Sequence, residues 1–206
     1  MANFVLASDL EGVLIPEIWP ALGKSLHIPE LSLTTREVSD MNVLMKIRLG
    51  VLKRDGVEFP DIIKHLSAVK PFEGAEEFMS KVSKLRNVSP VIISDSFEQF
   101  VDVVLKKRYG WKVFVNKFDV SFGRLEGCKL EVGGKKDIIL SKINRSGRKT
   151  IAVGDSFNDV GMLKLVTSPI LFNPVPALQK AFYKAIVCKD FAGLFDVIQK
   201  ITSEKT

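Results

Sequence analysis

The 206-residue sequence predicts an α/β fold: a doubly wound, mostly parallel sheet with a small helical segment inserted after its first strand. Three observations predict it. Short apolar runs recur along the chain and end in polar residues. Stretches with helical spacing of apolar residues lie between those runs. A stretch of roughly fifty residues after the first run contains no such run at all.

The elements follow in order. Asn3 to Ser8 is apolar and stops at Asp9, as a buried parallel strand does. From Glu17 to Val69 the chain reads as helices over Ile18–Leu26, Asp40–Leu52 and Asp61–Val69, with Pro60 and Asp61 as a helix start. Gly74–Leu85 places Ala75, Phe78, Met79, Val82 and Leu85 on one helical face. Pro90–Ser94 is the second apolar run, and a helix follows over Phe97–Tyr109. Lys112–Asn116 is a further strand, and Val120 to Leu130, punctuated by Gly123 and Gly127, reads as a hairpin. A helix over Lys136–Ile143, a strand over Lys149–Gly154 and a strand over Pro169–Phe172 complete the series. The expected division is a core of residues 1–16 and 71–206 and a helical cap of residues 17–70.

Composition narrows the function. Hydrophobic residues at 46% and charged residues at 26% describe a globular chain that buries a core. The net charge of +6 comes from lysines scattered over helix faces, which argues against nucleic acid and suits a negatively charged small substrate. No apolar stretch has the length of a membrane span, and no basic leader precedes the first apolar run. Cys128 and Cys188 stand alone and read as thiols of a reducing compartment. The expected location is the cytoplasm.

Ligands of such sheets bind at the carboxyl ends of the strands, and four polar clusters fall there. Asp9-Leu-Glu-Gly-Val13 sets two carboxylates one residue apart, a nucleophile with a proton donor beside it. Ser94-Asp-Ser-Phe97 offers small hydroxyls before a helix, where they either bind phosphate oxygens or cap the helix. Gly133-Gly-Lys-Lys-Asp137 opens a helix with lysines, either solvated or reaching back to offset negative charge. Gly154-Asp-Ser-Phe-Asn-Asp159 supplies hard oxygen ligands of the kind that hold Mg2+. Each cluster alone has an ordinary structural explanation. Their joint occurrence in this order points to phosphoryl transfer.

With these four motifs the sequence resembles the haloacid dehalogenase superfamily of phosphatases, along essentially its whole length. Within it, Asp9-Leu-Glu-Gly-Val-Leu-Ile-Pro-Glu-Ile-Trp19, Thr34-Thr-Arg-Glu37, Val43-Leu-Met-Lys-Ile-Arg-Leu49 and Ile170-Leu-Phe172 resemble the phosphoserine phosphatase / homoserine phosphotransferase type. The resemblance implies a Mg2+-dependent enzyme in which Asp9 is the nucleophile and Glu11 the general acid and base. The metal would be held by Asp9, the Glu11 carbonyl and Asp155, with Asp159 holding a metal-bound water or orienting the lysine. Lys135 is preferred over Lys136 as that lysine, because Gly-Gly-Lys and Ile139 then match the family's register. Ser94, Asp95, Ser96 and Asn158 would contact the phosphorylated substrate. Glu17 would take its amino group and Arg48 its carboxylate. Phosphoserine is the implied substrate, homoserine a further acceptor, and a homodimer is compatible with the family.

Two departures stand out. Glu11 occupies a position where most of the superfamily has Asp, shifting the proton donor by about an ångström. Ser94-Asp-Ser96 replaces the small glycines that usually follow the serine. Two alternatives share much of this pattern: a phosphatase for another small phosphomonoester, which needs neither Glu17 nor Arg48, and a binding module that kept the fold without the chemistry. Trp19, Trp111, His27, His65 and the methionines read as packing residues.

Overall fold

The computed structural model describes residues 3–203. Its strands are β1 (Phe4–Ser8), β2 (Val88–Phe97), β3 (Lys112–Ser121), β4 (Arg124–Lys129), β5 (Lys149–Gly154), β6 (Ser168–Phe172) and β7 (Ile186–Cys188). Its helices are α1 (Ile18–Leu26), α2 (Met41–Arg54), α3 (Phe59–Leu66), α4 (Ala75–Ser83), α5 (Glu98–Val104), α6 (Lys136–Ile143), α7 (Val160–Leu165), α8 (Pro176–Ala181) and α9 (Phe191–Ser203).

The strands form one seven-stranded sheet in the order β4-β3-β2-β1-β5-β6-β7. All neighbours are parallel except β3 and β4, which form a hairpin. β1 is buried along its whole length because it lies at the centre, paired with β2 on one side and β5 on the other. Alternation sends its side chains to two cores. Leu6 joins Ile92, Ile151 and the helices α1, α4, α5 and α9 on one face. Val5 and Ala7 join Val91, Ala152 and the helices α6, α7 and α8 on the other. Helices on both faces of a parallel sheet make this the doubly wound α/β architecture that the apolar runs predict.

The expected elements occur, with shifted ends. β2 runs on through Phe97, so the helix after it starts at Glu98 and stops near Leu105, short of the expected Tyr109. α3 starts at Phe59, before the expected Asp61, whose carboxylate accepts the backbone N–H of Glu58. Asp40 caps α2, accepting from the N–H groups of Asn42 and Val43. The C-terminal elements α7, α8, β7 and α9 add to the expected list.

Residues 17–70 contain α1, α2, α3 and a short 3-10 turn at Pro29–Ser32, with no strand of the sheet. They are tied to the rest by packing. Trp19 meets the rings of Phe97, Phe100 and Phe118 edge-on, at centroid distances of 6.5, 5.5 and 6.2 Å. Such T-shaped contacts stabilise by about 0.5–1.5 kcal/mol each beyond area burial. The β3–β4 turn, Phe122-Gly123, has φ of 48° and 77°, the left-handed pair that a two-residue hairpin requires. The Gly123 carbonyl at its tip accepts the backbone N–H of Phe59 at 2.8 Å, so the hairpin meets the start of α3. Of the two glycines that punctuate the expected hairpin, Gly123 is in the turn and Gly127 sits inside β4. Among the described residues both cysteines are unpaired, and no helix is long and apolar enough to cross a membrane.

Candidate active site

β1, β2 and β5 are adjacent, so the residues leaving their carboxyl ends converge. Asp9 follows β1 and its backbone N–H donates to the Val153 carbonyl of β5 at 3.0 Å. Its Oδ1 accepts the Leu10 N–H at 2.7 Å and its Oδ2 faces a lysine Nζ at 2.7 Å. That lysine is Lys136. The same Nζ lies 2.8 Å from Oδ1 of Asp159, and lysine and carboxylates are all buried. The expectation for Lys135 is therefore corrected. Lys135 precedes the first turn of α6 and is exposed, whereas Lys136 and Leu140, one helical turn apart, share the buried face. Matching the Gly-Gly-Lys register pointed one residue too early; the helix phase decides.

Asp159 is fully buried, and both its oxygens are engaged: Oδ1 by Lys136, Oδ2 by the N–H groups of Asp155 at 3.0 Å and Ser156 at 3.3 Å. Asp155 is placed differently. Its Oδ1 is buried and has no hydrogen-bond partner. Carboxylate oxygens of Asp9, Asp155 and Asp159 lie within 4.8 Å of one another. Two glycines make room for this crowding. A Cβ on Gly12, whose φ is +83°, would stand 2.5 Å from Asp155 Oδ2, and one on Gly154 would stand 2.5 Å from Asp159. An unpartnered carboxylate oxygen, a second carboxylate beside it and a cleared cradle fit a small divalent cation with hard oxygen ligands.

The electrostatics agree. Burial and the neighbouring Asp159 carboxylate hold Asp9 well above the usual carboxylate range, against the pull of Lys136. Burial, then Asp159, pushes Asp155 up to about 7. Burial works against the Lys136 charge, but Asp159, Asp9 and Asp95 more than offset it and keep the ammonium protonated. Carboxylates that resist ionisation in this way are relieved by a bound cation. Glu11, two residues on, is also raised by burial, while Ser96, the Ile18 N–H and Arg48 pull it back. Its Oε2 accepts that Ile18 N–H at 2.9 Å, at the first residue of α1.

The end of β2 supplies Ser94, Asp95 and Ser96. Asp95 Oδ1 accepts the Gly134 N–H at 2.8 Å, fastening the loop that carries Lys136. Asn116 on β3 does more of this work. Fully buried, it donates from Nδ2 to the Asp95 carbonyl and accepts the N–H groups of Val132 and Gly133 on Oδ1. The sequence reading passed over Asn116, although an amide directly after the apolar run Val113 to Val115 is itself a signal. It also passed over the clearances at Gly12, which depends on Asp155 far along the chain, and at Gly154, which depends on the turn that folds Asp159 back on it.

A cavity of about 520 Å3 opens from these groups toward the helices of residues 17–70. Asp9, Glu11, Ser94, Ser96, Lys136 and Asp155 of the sheet edge line it. Glu17, Trp19, Arg36 and Arg48, from residues 17–70, line it too. Arg48 is buried, stacks 4.4 Å above the Trp19 ring and donates to the Leu33 carbonyl at 2.7 Å, yet its Nε has no partner. Burial lowers it to about 10, so it stays cationic. Trp19 thus carries a cation as well as filling the core. Glu17 lies 3.6 Å from Arg36. Thr35 donates to Asn158 Oδ1 at 2.9 Å, a bond across the cavity rim. Of the residues singled out in the sequence, Asp9, Glu11, Glu17, Arg48, Ser94, Asp95, Ser96, Asp155 and Asn158 line this one cavity. Asp159 stands directly behind it, and Lys135 is away from it.

The fold and this carboxylate-lysine cluster coincide with a match of residues 5–167 to the haloacid dehalogenase-like hydrolases, and the chain belongs to that family. Within it, the chain is 35% identical over 166 residues to phosphoserine phosphatase ThrH of Pseudomonas aeruginosa, covering 80% of each. It is 29% identical over 164 residues to a phosphoserine phosphatase of Methanocaldococcus jannaschii, covering 76% of this chain and 75% of that one. A substrate-bound phosphoserine phosphatase structure shares the fold with a TM-score of 0.77 at 23% identity, over 94% of this chain and 97% of that one.

Proposed function

We propose that this protein is a Mg2+-dependent phosphoserine phosphatase working through a phosphorylated Asp9, and that the same intermediate can pass its phosphoryl group to homoserine. The observation that carries the reading is one cavity lined by two sets of groups: a buried Asp9, Lys136 and carboxylate cluster from the sheet edge, and a buried, partly unpaired Arg48 guanidinium with the Glu17 carboxylate from residues 17–70. Residues 17–70 act as a cap over the core formed by residues 1–16 and 71–206.

In this reading an Asp9 carboxylate oxygen attacks phosphorus and the bond to the serine oxygen breaks. Glu11 delivers its proton to that oxygen, and serine leaves. Water then attacks the phosphorus, Glu11 takes the water's proton, and the electrons of the breaking P–O bond return to Asp9. Lys136 and the Ser94 hydroxyl hold the phosphoryl oxygens, and Asp159 keeps Lys136 in place. Asp9, Asp155 and the Glu11 carbonyl would hold the Mg2+, with Asp159 acting through the lysine or a water. When bound, the ion offsets the negative charge gathered at the phosphoryl group. Arg48 takes the substrate carboxylate and Glu17 its ammonium, releasing Arg36. Asp95, Ser96 and Asn158 complete the substrate's surroundings.

The test is phosphate release from phosphoserine with Mg2+, with and without homoserine. Asp9→Asn abolishes release. Arg48→Ala raises KM for phosphoserine by about tenfold to a hundredfold, the size of one lost charged hydrogen-bond pair, and leaves KM for p-nitrophenyl phosphate unchanged. Equal effects on both substrates would rule out the amino-acid end of the reading. Phosphorylated homoserine among the products supports transfer; phosphate alone restricts the enzyme to hydrolysis.

A further inference from the structure

Four buried side-chain atoms lack a hydrogen-bond partner among the described residues: Arg48 Nε, Asp155 Oδ1, Arg148 Nε and Ser96 Oγ. The first two line the cavity and already have proposed partners in the substrate and the cation, and Arg148 lies outside it. Ser96 Oγ is left, and no step above uses it. A buried hydroxyl without a partner is disfavoured, so a partner is expected to arrive in the working enzyme. An ordinary capping role does not account for it. The residue preceding α5 is Phe97, and the helix start has no side-chain cap. The backbone N–H of Ser96 donates to Ser94 Oγ at 3.3 Å, a bond in which the Ser96 hydroxyl takes no part.

Ser96 is 3% exposed and lines the cavity together with Asp9 and Glu11. Its hydroxyl faces the Glu11 carboxylate closely enough to favour the charged form, yet outside the geometry of a formed hydrogen bond. A carboxylate and a neighbouring unpartnered hydroxyl that line one cavity with the nucleophile can both be touched by one small oxygen bound in that cavity. We infer that Ser96 is a positioning residue for the second half of the reaction, its Oγ holding the attacking water against Glu11. The inference rests on the phospho-Asp9 reading and adds to it.

The proton count makes the role specific. Water aims one lone pair at phosphorus and has two O–H groups to place. Glu11 accepts the one whose proton it takes, and Ser96 Oγ accepts the other. The new bond joins the water oxygen to phosphorus, the Asp9–phosphorus bond breaks, and inorganic phosphate departs. An alcohol has one O–H, which goes to Glu11, and it makes no use of Ser96 as an acceptor. Ser96 therefore favours hydrolysis over transfer.

Rapid mixing with p-nitrophenyl phosphate and Mg2+ separates the steps, because the burst of p-nitrophenol reports phosphorylation of Asp9 and the steady phase reports its breakdown. Ser96→Ala slows the steady phase about tenfold, the size of one lost hydrogen bond, and slows it more than the burst. With methanol present, the share of phosphoryl groups passed to methanol rises. Ser96→Thr restores the faster steady phase, and Ser96→Val, equal in shape to Thr but without the hydroxyl, does not. An unchanged steady phase in Ala and Val would overturn the inference, as would equal slowing of burst and steady phases or equal slowing toward water and methanol. A wild-type protein that releases no p-nitrophenol would overturn the phospho-Asp9 reading itself, and this inference with it.

Discussion

Replacing Lys136 with methionine removes one ammonium and keeps most of the side-chain volume. In the structure that ammonium sits 2.7 Å from Asp9 and 2.8 Å from Asp159, with the lysine side chain 3% exposed. Taking one partner out of a buried ion pair costs about 3–5 kcal/mol, because the remaining charge is left without compensation. Asp9 is already raised by burial and can take a proton when the lysine is lost, which puts the expected cost near the lower figure, about 3 kcal/mol. For a chain of this size each kcal/mol moves Tm by about 2–4 °C, so Lys136→Met should melt about 6–12 °C lower in the absence of divalent metal. Exposed Lys135→Met should stay within about 0.5 kcal/mol of the wild type. Excess Mg2+ should recover part of the Lys136→Met loss, since the ion compensates the same carboxylates. Phosphate release by Lys136→Met should fall by about 10²–10³-fold, the usual effect of losing one charge-stabilising donor, with Lys135→Met close to normal. Calorimetry in EDTA and in Mg2+, with phosphate release on the same samples, measures all of this. Equal behaviour of the two variants, or a larger effect at Lys135, would refute the assignment.

Gly12→Ala should raise the Mg2+ concentration needed for half-maximal activity by about tenfold to a hundredfold, because the new Cβ would stand 2.5 Å from Asp155 Oδ2; an unchanged Mg2+ demand in a titration of phosphate release would refute the cradle. The positive φ adds a strain of about 1–2 kcal/mol, visible as a lower Tm. Asp155 is raised to about 7 in the folded chain, so without metal it contributes stability below about pH 4 that is lost as pH rises to about 7. Mg2+ competes with that proton and should raise Tm more at pH 8 than at pH 5; the reverse order would show that the ion binds elsewhere. Thr35→Val removes the bond to Asn158 across the cavity rim and should change KM for phosphoserine by less than about tenfold with kcat retained, measured by initial rates. A collapse of kcat would instead make that bond part of the chemistry.

Much of this was legible in the sequence because the signals were local. Apolar runs such as Phe4–Ala7 must lie in a buried parallel strand, and a strand that stops at Asp9 delivers that carboxylate to the sheet edge. Asp9, Glu11, Ser94 and Asp155 were expected at that edge in this way, and they line one cavity there. Lys136 was not, because choosing between adjacent lysines requires the phase of α6, and a matched register is a weaker guide than the face that packs. Asn116 and Gly12 were missed for another reason: each acts on a residue far along the chain, so its purpose exists only once the strands are side by side. The clearance at Gly154 is local, but it appears only when the turn folds Asp159 back on it. The short elements α7, α8 and β7 span three to six residues, too few for a periodicity to declare itself.

The contact between the hairpin tip and Phe59 has a mechanical consequence. A helical segment joined to a sheet only by two linkers can swing as a plate, whereas residues 17–70 are also fastened by a main-chain bond on the side of α3, with Glu58 and Arg124 flanking it. Under the cap role proposed above, that fastening is the doorpost on which residues 17–70 would turn, and the bond from Thr35 to Asn158 at the cavity rim is one that opening would have to release.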